Sequence, residues 1–183
     1  MAEFLGHGGG IEAQIGEYPN PIPDKGYVDA KNTERYRLHL TGDKAEVYRT
    51  DLLQKNLFPE VPGEKFLTEC LVWNEIAYQG YKLRWFPDVI MITEYRDDGL
   101  TKNLNKIKWD NFVGYTLEVK SEMRSGESYR FRVLGRYLTM AKKKGMKKDD
   151  IMAKLGISSA EYKKGKRISY LQNISDMTRG RKK

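Results

Sequence analysis

The sequence predicts an α/β fold from three observations. An apolar stripe at helical spacing runs from Phe66 to Ala77. Two short apolar runs, Val89 to Ile92 and Val113 to Val119, read as strands, and a second amphipathic helix extends from about Ser128 to Lys142. Helix, two covered strands and helix again is the pattern of a sheet flanked by helices. The 183 residues suit one domain with a modest appendage, long enough to bury a core without disulfide or metal staples. With 39% apolar and 32% charged residues, the composition is that of a soluble globular chain and excludes a disordered one.

Taken in order, residues 1–33 are expected to be poorly structured. Gly8-Gly9-Gly10 is flexible, and Pro19, Pro21 and Pro23 hold an extended stretch that lacks donors for a sheet. A hairpin is predicted next: Tyr36, Leu38 and Leu40 alternate with polar residues, Thr41-Gly42-Asp43-Lys44 supplies the turn, and Ala45 to Tyr48 returns. His39 falls in the first of these strands, facing outward. In the helix after Pro62-Gly63, Phe66, Leu67, Cys70, Leu71, Trp73, Ile76 and Ala77 share one arc, and Val72 lies just outside it. Glu64 and Glu75 take the polar side. Glu69 lies at the edge of the buried face, between Ile76 and Trp73, where a carboxylate either meets a cation or metal or extends its head to water. Tyr81 to Trp85 alternates like a strand, and Pro87-Asp88 introduces Val89 to Ile92, a β-branched run of the kind covered on both faces. A polar excursion, Glu94 to Asn111, holds Asp97-Asp98-Gly99 and a basic stretch from Lys102 to Lys108; the strand Val113 to Val119 then ends in Lys120-Ser121. The helix from Ser128 carries Tyr129, Val133, Leu134, Tyr137, Leu138 and Ala141 on one side, with Arg130 inside the same arc. Three segments result: 1–33, a core over 34–142, and a basic helical extension over 143–183.

Charge separates the last segment from the rest. The chain has 33 Lys or Arg against 25 acids, net +8. Residues 141–183 hold 14 against 4, net +10, while residues 1–140 hold 19 against 21, net −2. Such a segment suits a polyanionic partner, with a solvated basic face as the plainer explanation. A single cysteine, Cys70, with His7 and His39 the only histidines, excludes a disulfide framework and makes zinc a poor fit. No apolar run approaches the ~20 residues of a membrane helix, and Met1 to Gly10 lacks the basic start and apolar centre of a signal peptide. A cytoplasmic location with no membrane partner is expected. Asp149 to Leu155 reads as a short helix, Gly156-Ile157-Ser158 as a turn, and Ser159 to Leu171 as a second helix. Leu155-Gly156-Ile157-Ser158 resembles the turn of helix-turn-helix modules, which would set Lys163, Lys164, Lys166 and Arg167 along the helix that enters the major groove. A helical hairpin with a basic solvated face satisfies the same pattern. Arg179-Gly180-Arg181-Lys182-Lys183 is a basic tail suited to phosphates.

Catalytic chemistry is suggested by the paired strands. Asp88 opens the first, and Glu118 and Lys120, two apart on the second, would share one face. Two carboxylates bind a hard divalent cation through oxygen, leaving positions for water and phosphate, and a lysine beside them orients the attacking water. Pro87-Asp88 followed by Glu118-Val119-Lys120 resembles the signature of the PD-(D/E)xK nuclease superfamily, over roughly residues 62–142. Asp29-Ala30-Lys31 and Glu161-Tyr162-Lys163 match half of that signature, but neither ends an apolar strand. The resemblance implies a restriction-endonuclease-like core, a central mixed β-sheet flanked by helices, with an inserted loop between Asp88 and Glu118. It also implies Mg²⁺, replaceable by Mn²⁺, held by a set of Asp88, Glu118, Val119 and Glu69, with Lys120 at the water. Ser121 and Arg130 could then touch a phosphate. The expected function is a Mg²⁺-dependent endonuclease acting on DNA, as a homodimer or with a partner subunit for duplex cutting. The alternatives are a non-catalytic DNA-binding protein using the basic C-terminal helices and an RNA-directed nuclease with the same site.

Overall fold

The computed structural model describes residues 4–13, 26–40, 44–93 and 99–180, leaving aside the side chains of 4–13, 89–93, 128 and 173–180. The chain is mixed α/β and divides into two compact units, Met1–Asp110 and Asn111–Lys183. The boundary therefore falls at 110/111, and residues 143–183 belong to a unit that begins well before them.

The first unit is built on four strands: β1 (Phe4–Ala13), β2 (Val28–Ala30), β3 (Lys44–Glu46) and β4 (Lys82–Thr93), in the order β2-β4-β1-β3. The sheet is mixed. β1 runs parallel to β4, from Phe4 opposite Lys82 to Ala13 opposite Thr93, while β3 pairs antiparallel with β1 and β2 antiparallel with β4. Residues 4–13 are thus an inner strand of the sheet, contrary to the expectation for residues 1–33. The prolines at 19, 21 and 23 lie outside the described residues. The two predicted strands Tyr81–Trp85 and Val89–Ile92 are one strand, β4, interrupted in register rather than broken. Gly8 stands opposite Trp85 and Gly10 opposite Val89, so β4 spends extra residues at Phe86-Pro87-Asp88, where proline has no N–H to give the ladder.

The predicted hairpin does not form. Residues 32–34 make a turn of 3₁₀ helix, 35–39 continue as turns, and only 44–46 are a strand, pairing with β1. Residues 41–43 of the predicted turn are outside the described residues. His39 is exposed with φ of 57°, a left-handed turn residue and not a strand residue. Two helices, α1 (Thr50–Lys55) and α2 (Cys70–Tyr78), follow, and α3 (Leu100–Asp110) comes after β4. Helix α2 starts four residues later than its apolar stripe suggests and buries Val72, Asn74, Ile76 and Ala77. Trp85 is fully buried with Ala30, Leu40 and Leu83, under the Arg35 guanidinium, which lies 5.1 Å from its ring centroid and pairs with Glu46 at 2.9 Å. Burial pushes the Glu46 carboxyl up, against the pull of Arg35 and with a further push from Glu69. Across β2 and β4, Arg84 grips Asp29 with two hydrogen bonds, 2.8 and 3.0 Å.

The second unit is helical: α4 (Phe112–Glu122), α5 (Glu127–Lys143), α6 (Lys148–Leu155) and α7 (Ser159–Gly180). The run Val113 to Val119 is therefore helix, not strand. Tyr115, Val119 and Met123 recur every four residues on one face of α4 and enter a core with Phe131, Val133, Leu134, Tyr137, Leu138, Ala141, Ile151, Leu155, Ile157 and Tyr162. The Tyr137 hydroxyl meets Thr116 Oγ1 at 3.0 Å, and burial raises the pKa of both Tyr115 and Tyr137. Among the described residues, no helix is long and apolar enough to cross a membrane.

Candidate nucleic-acid interface

The second unit's geometry begins where α5 and α7 cross. A Cβ on Gly165 would lie 2.7 Å from Leu134 Cγ and Cδ2, and one on Gly135 would lie 3.0 Å from the Ser169 backbone nitrogen. These two glycines let the helices meet backbone to side chain, fixing α7 against α5 at that point. Thr139 Oγ1 and Ser169 Oγ share a hydrogen bond of 2.7 Å beside the crossing.

The approach from α6 to α7 is set by three residues. Gly156 takes φ of 66°, the left-handed end of α6 that glycine adopts without a Cβ penalty. Ile157 turns inward and is buried. Ser158 caps α7: its Oγ accepts the Glu161 N–H at 3.2 Å, and Glu161 Oε2 accepts the Ser158 N–H at 2.8 Å, a reciprocal capping box. Hydrogen bonds from Ser158, with the Arg130 guanidinium beside them, hold the Glu161 carboxyl below the ordinary carboxylate range. Gly156 to Ser158 is thus a short turn between two helices with Ile157 in the core, a feature that helix-turn-helix modules and plain helical hairpins share.

The outward face of α7 carries Lys163, Lys164, Lys166 and Arg167, all exposed. Lys164 is engaged inside the unit: its Nζ donates to Glu127 Oε1 at 2.6 Å and lies 4.0 Å from the Phe131 ring centroid. Lys163, Lys166 and Arg167 have no ion pair among the described residues. With Lys142 and Thr139 of α5 and Ser169, Tyr170 and Leu171 of α7, they line a groove of about 800 Å³. The whole second unit holds 19 Lys or Arg against 7 acids, net +12, and the first unit is net −4.

The residues expected to form a metal site are not presented as such a site needs. On a helix, residues two apart point roughly 200° from each other. Glu118 is accordingly buried and Lys120 exposed, where a strand would have put both on one face. Val119, with no exposed surface, belongs to the apolar core. Asp88, exposed at the irregular point of β4, and Glu69, exposed just before α2, lie in the first unit. Neither belongs to a cluster of three ligating side chains among the described residues. Glu118 and Lys120 therefore do not share the face that the motif implies, and no hydrolytic step is derived through them. Ser121 is half-buried on α4. Arg130 is a structural clamp, donating to Glu161 and, at 3.3 Å, to the Met123 carbonyl. The tail Arg181-Lys182-Lys183 is outside the described residues.

Lys142 and Tyr170 are the members of the basic surface that sequence reasoning missed. Tyr170 was within reach, because it continues the stripe Lys163, Lys166, Arg167 by one more turn. Lys142 was not, because only the crossing at Gly135 and Gly165 brings the end of α5 to this stretch of α7. No family model, curated protein or solved structure matches the chain.

Proposed function

We propose that the second unit is a duplex-DNA-binding module of the helix-turn-helix kind, α6 lying across the phosphate backbone and the first turns of α7 entering the major groove. The observation that carries this reading is the turn itself. Left-handed Gly156, buried Ile157 and the Ser158–Glu161 capping box together aim a helix whose outward residues include Lys163 and Arg167. A charge of +12 on this unit supports the same partner. DNA binding without cleavage is favoured over Mg²⁺-dependent hydrolysis because Glu118 and Lys120 diverge on α4, leaving the cleavage motif without the strand on which it depends.

Fluorescence anisotropy with a labelled random-sequence duplex, measured across a salt series, tests the proposal. The wild type is expected to bind, and the double variant Lys163→Ala/Arg167→Ala to bind more weakly, with a log–log salt slope shallower by about two. Both substituted residues are exposed, so the thermal midpoint should not move. Absence of duplex binding, or an unchanged slope in the variant, would overturn the reading. A plasmid incubation with Mg²⁺ separates the alternative: cleavage lost in both Asp88→Ala and Lys120→Ala would restore the nuclease.

A further inference from the structure

Duplex recognition as described uses Lys163 and Arg167 of the first turns of α7 and leaves the rest of the groove between α7 and α5, with Lys142, Lys166, Tyr170 and Leu171, unexplained. The groove is large for a surface of this size, about 800 Å³, within the range of small-ligand sites. Its walls combine three kinds of group. Lys142 comes from α5 and Lys163, Lys166 and Arg167 from α7, four cations that form no ion pair among the described residues. Thr139 and Ser169 add a pair of hydroxyls at the wall, bonded to each other, with Thr139 also donating to the Gly135 carbonyl at 3.2 Å, so that only acceptor lone pairs are left to a ligand. Tyr170 and Leu171 contribute apolar surface and are 68% and 60% exposed, although they sit in the middle of a helix whose opposite face is well packed.

Each kind of group selects for one part of the same ligand. Cations from two helices suit phosphate oxygens, and the remaining lone pairs of the two hydroxyls can accept from a sugar hydroxyl. An exposed tyrosine ring offers a face on which any base can stack. A purely apolar ligand would leave the cations without partners, and inorganic phosphate would leave Tyr170 and Leu171 wet. We infer that the α5–α7 groove binds a nucleoside phosphate unit, its base against Tyr170 and its phosphate among Lys142, Lys166 and Arg167. The unit comes either from a single nucleic-acid strand or from a free nucleotide. This extends nucleic-acid binding to an unpaired form; Arg167 serves both readings, and Lys142 and Tyr170, which play no part in duplex recognition, distinguish them.

The test is anisotropy with a labelled oligothymidylate of about ten nucleotides, with unlabelled AMP as competitor and the labelled duplex as the parallel probe. Wild-type protein should bind the oligothymidylate. Tyr170→Ala should weaken that binding about tenfold, Tyr170→Phe should restore it, and Lys142→Ala should make the salt slope shallower by about 0.7. Duplex affinity in Tyr170→Ala should hold. Displacement by AMP supports the groove with a free nucleotide as occupant, and resistance to AMP supports it with a strand as occupant. Failure of the wild type to bind oligothymidylate, or equal affinity in Tyr170→Ala, overturns the inference. Both substituted side chains are exposed, so the folded unit is retained. Oligothymidylate bound without duplex refutes the duplex reading alone, and duplex bound without oligothymidylate refutes the groove alone.

Discussion

The two units solve the problem of burying apolar surface in different ways. The second unit does it with four helices around one continuous core, into which α4 to α7 all contribute. The first does it with small clusters among its described residues: one around Trp85 under the sheet, one where Leu52, Val72 and Ile76 meet. Polar pairs stand beside these clusters, Arg35 with Glu46 over the Trp85 ring and Arg84 with Asp29 across β2 and β4. Charge divides the same way, +12 against −4. The difference teaches that the basic character first attributed to a C-terminal extension belongs to an integral helical unit, whose core sets the positions of the cations.

If that division is right, damage should stay within a unit. The largest expected effect is from Trp85→Ala, which removes a fully buried side chain and should cost about 3–5 kcal/mol. Chemical denaturation should show the loss, while duplex affinity of the folded fraction stays at the wild-type level; a large affinity loss would break the comparison. Leu134→Ala is its counterpart in the second unit. With no exposed surface and Gly165 packed against it, its loss should cost about 2–5 kcal/mol and reduce DNA binding with it.

Gly165→Ala sharpens the picture on a smaller scale. Alanine is the better helix former by about 1 kcal/mol, but the added methyl would meet Leu134 at 2.7 Å. Overpacking costs about 1–3 kcal/mol, so a net loss is expected, and a gain in thermal midpoint would show that the crossing has slack. Ser158→Ala removes the cap and should cost about 1 kcal/mol. The smallest effects are in titration. Glu161, held low, contributes stability that is complete above the unfolded carboxylate pKa of about 4.3 and fades as pH falls through its lowered native value. Glu46, pushed up by burial, acts in the opposite sense: its ionisation weakens the fold as pH rises from about 4.3 through its raised native value. Carboxyl chemical shifts followed by NMR should place Glu46 above the ordinary range and Glu161 below it.

Legibility in the sequence followed the range of the contacts. α5, α6, the turn and the start of α7 were readable because their signals are local: the Leu134–Leu138–Ala141 spacing and the turn residues Gly156-Ile157-Ser158. Val113 to Val119 was misread because a short apolar run is compatible with either a strand or a buried helix. Phe112 and Met123, which complete its helical face, flank the run on either side. Glu118 and Lys120 followed that error, since their shared face existed only on a strand. β1 was invisible for a different reason. Gly8-Gly9-Gly10 has no side chains to alternate, and the segment is a strand only because β4 and β3 flank it. The groove was partly legible in the cations of α7, but its other wall depends on a helix crossing that no local pattern announces.

The parallel pairing of β1 with β4 has a consequence for how the protein comes to be folded. Phe4 stands opposite Lys82 and Ala13 opposite Thr93, so an inner strand of the sheet waits for a partner that follows it by most of the first unit. Closing so long a loop consumes chain entropy before any ladder bond repays it. The helices of the second unit, joined by short turns, face no such delay. On the ribosome, the glycine-rich segment can meet β3 early, through Gly8 to Gly10, but its longer ladder with β4 must wait until residues 82–93 have emerged. The sheet is therefore expected to be the slow step of folding, and the helical unit, though made last, need not be the last to fold.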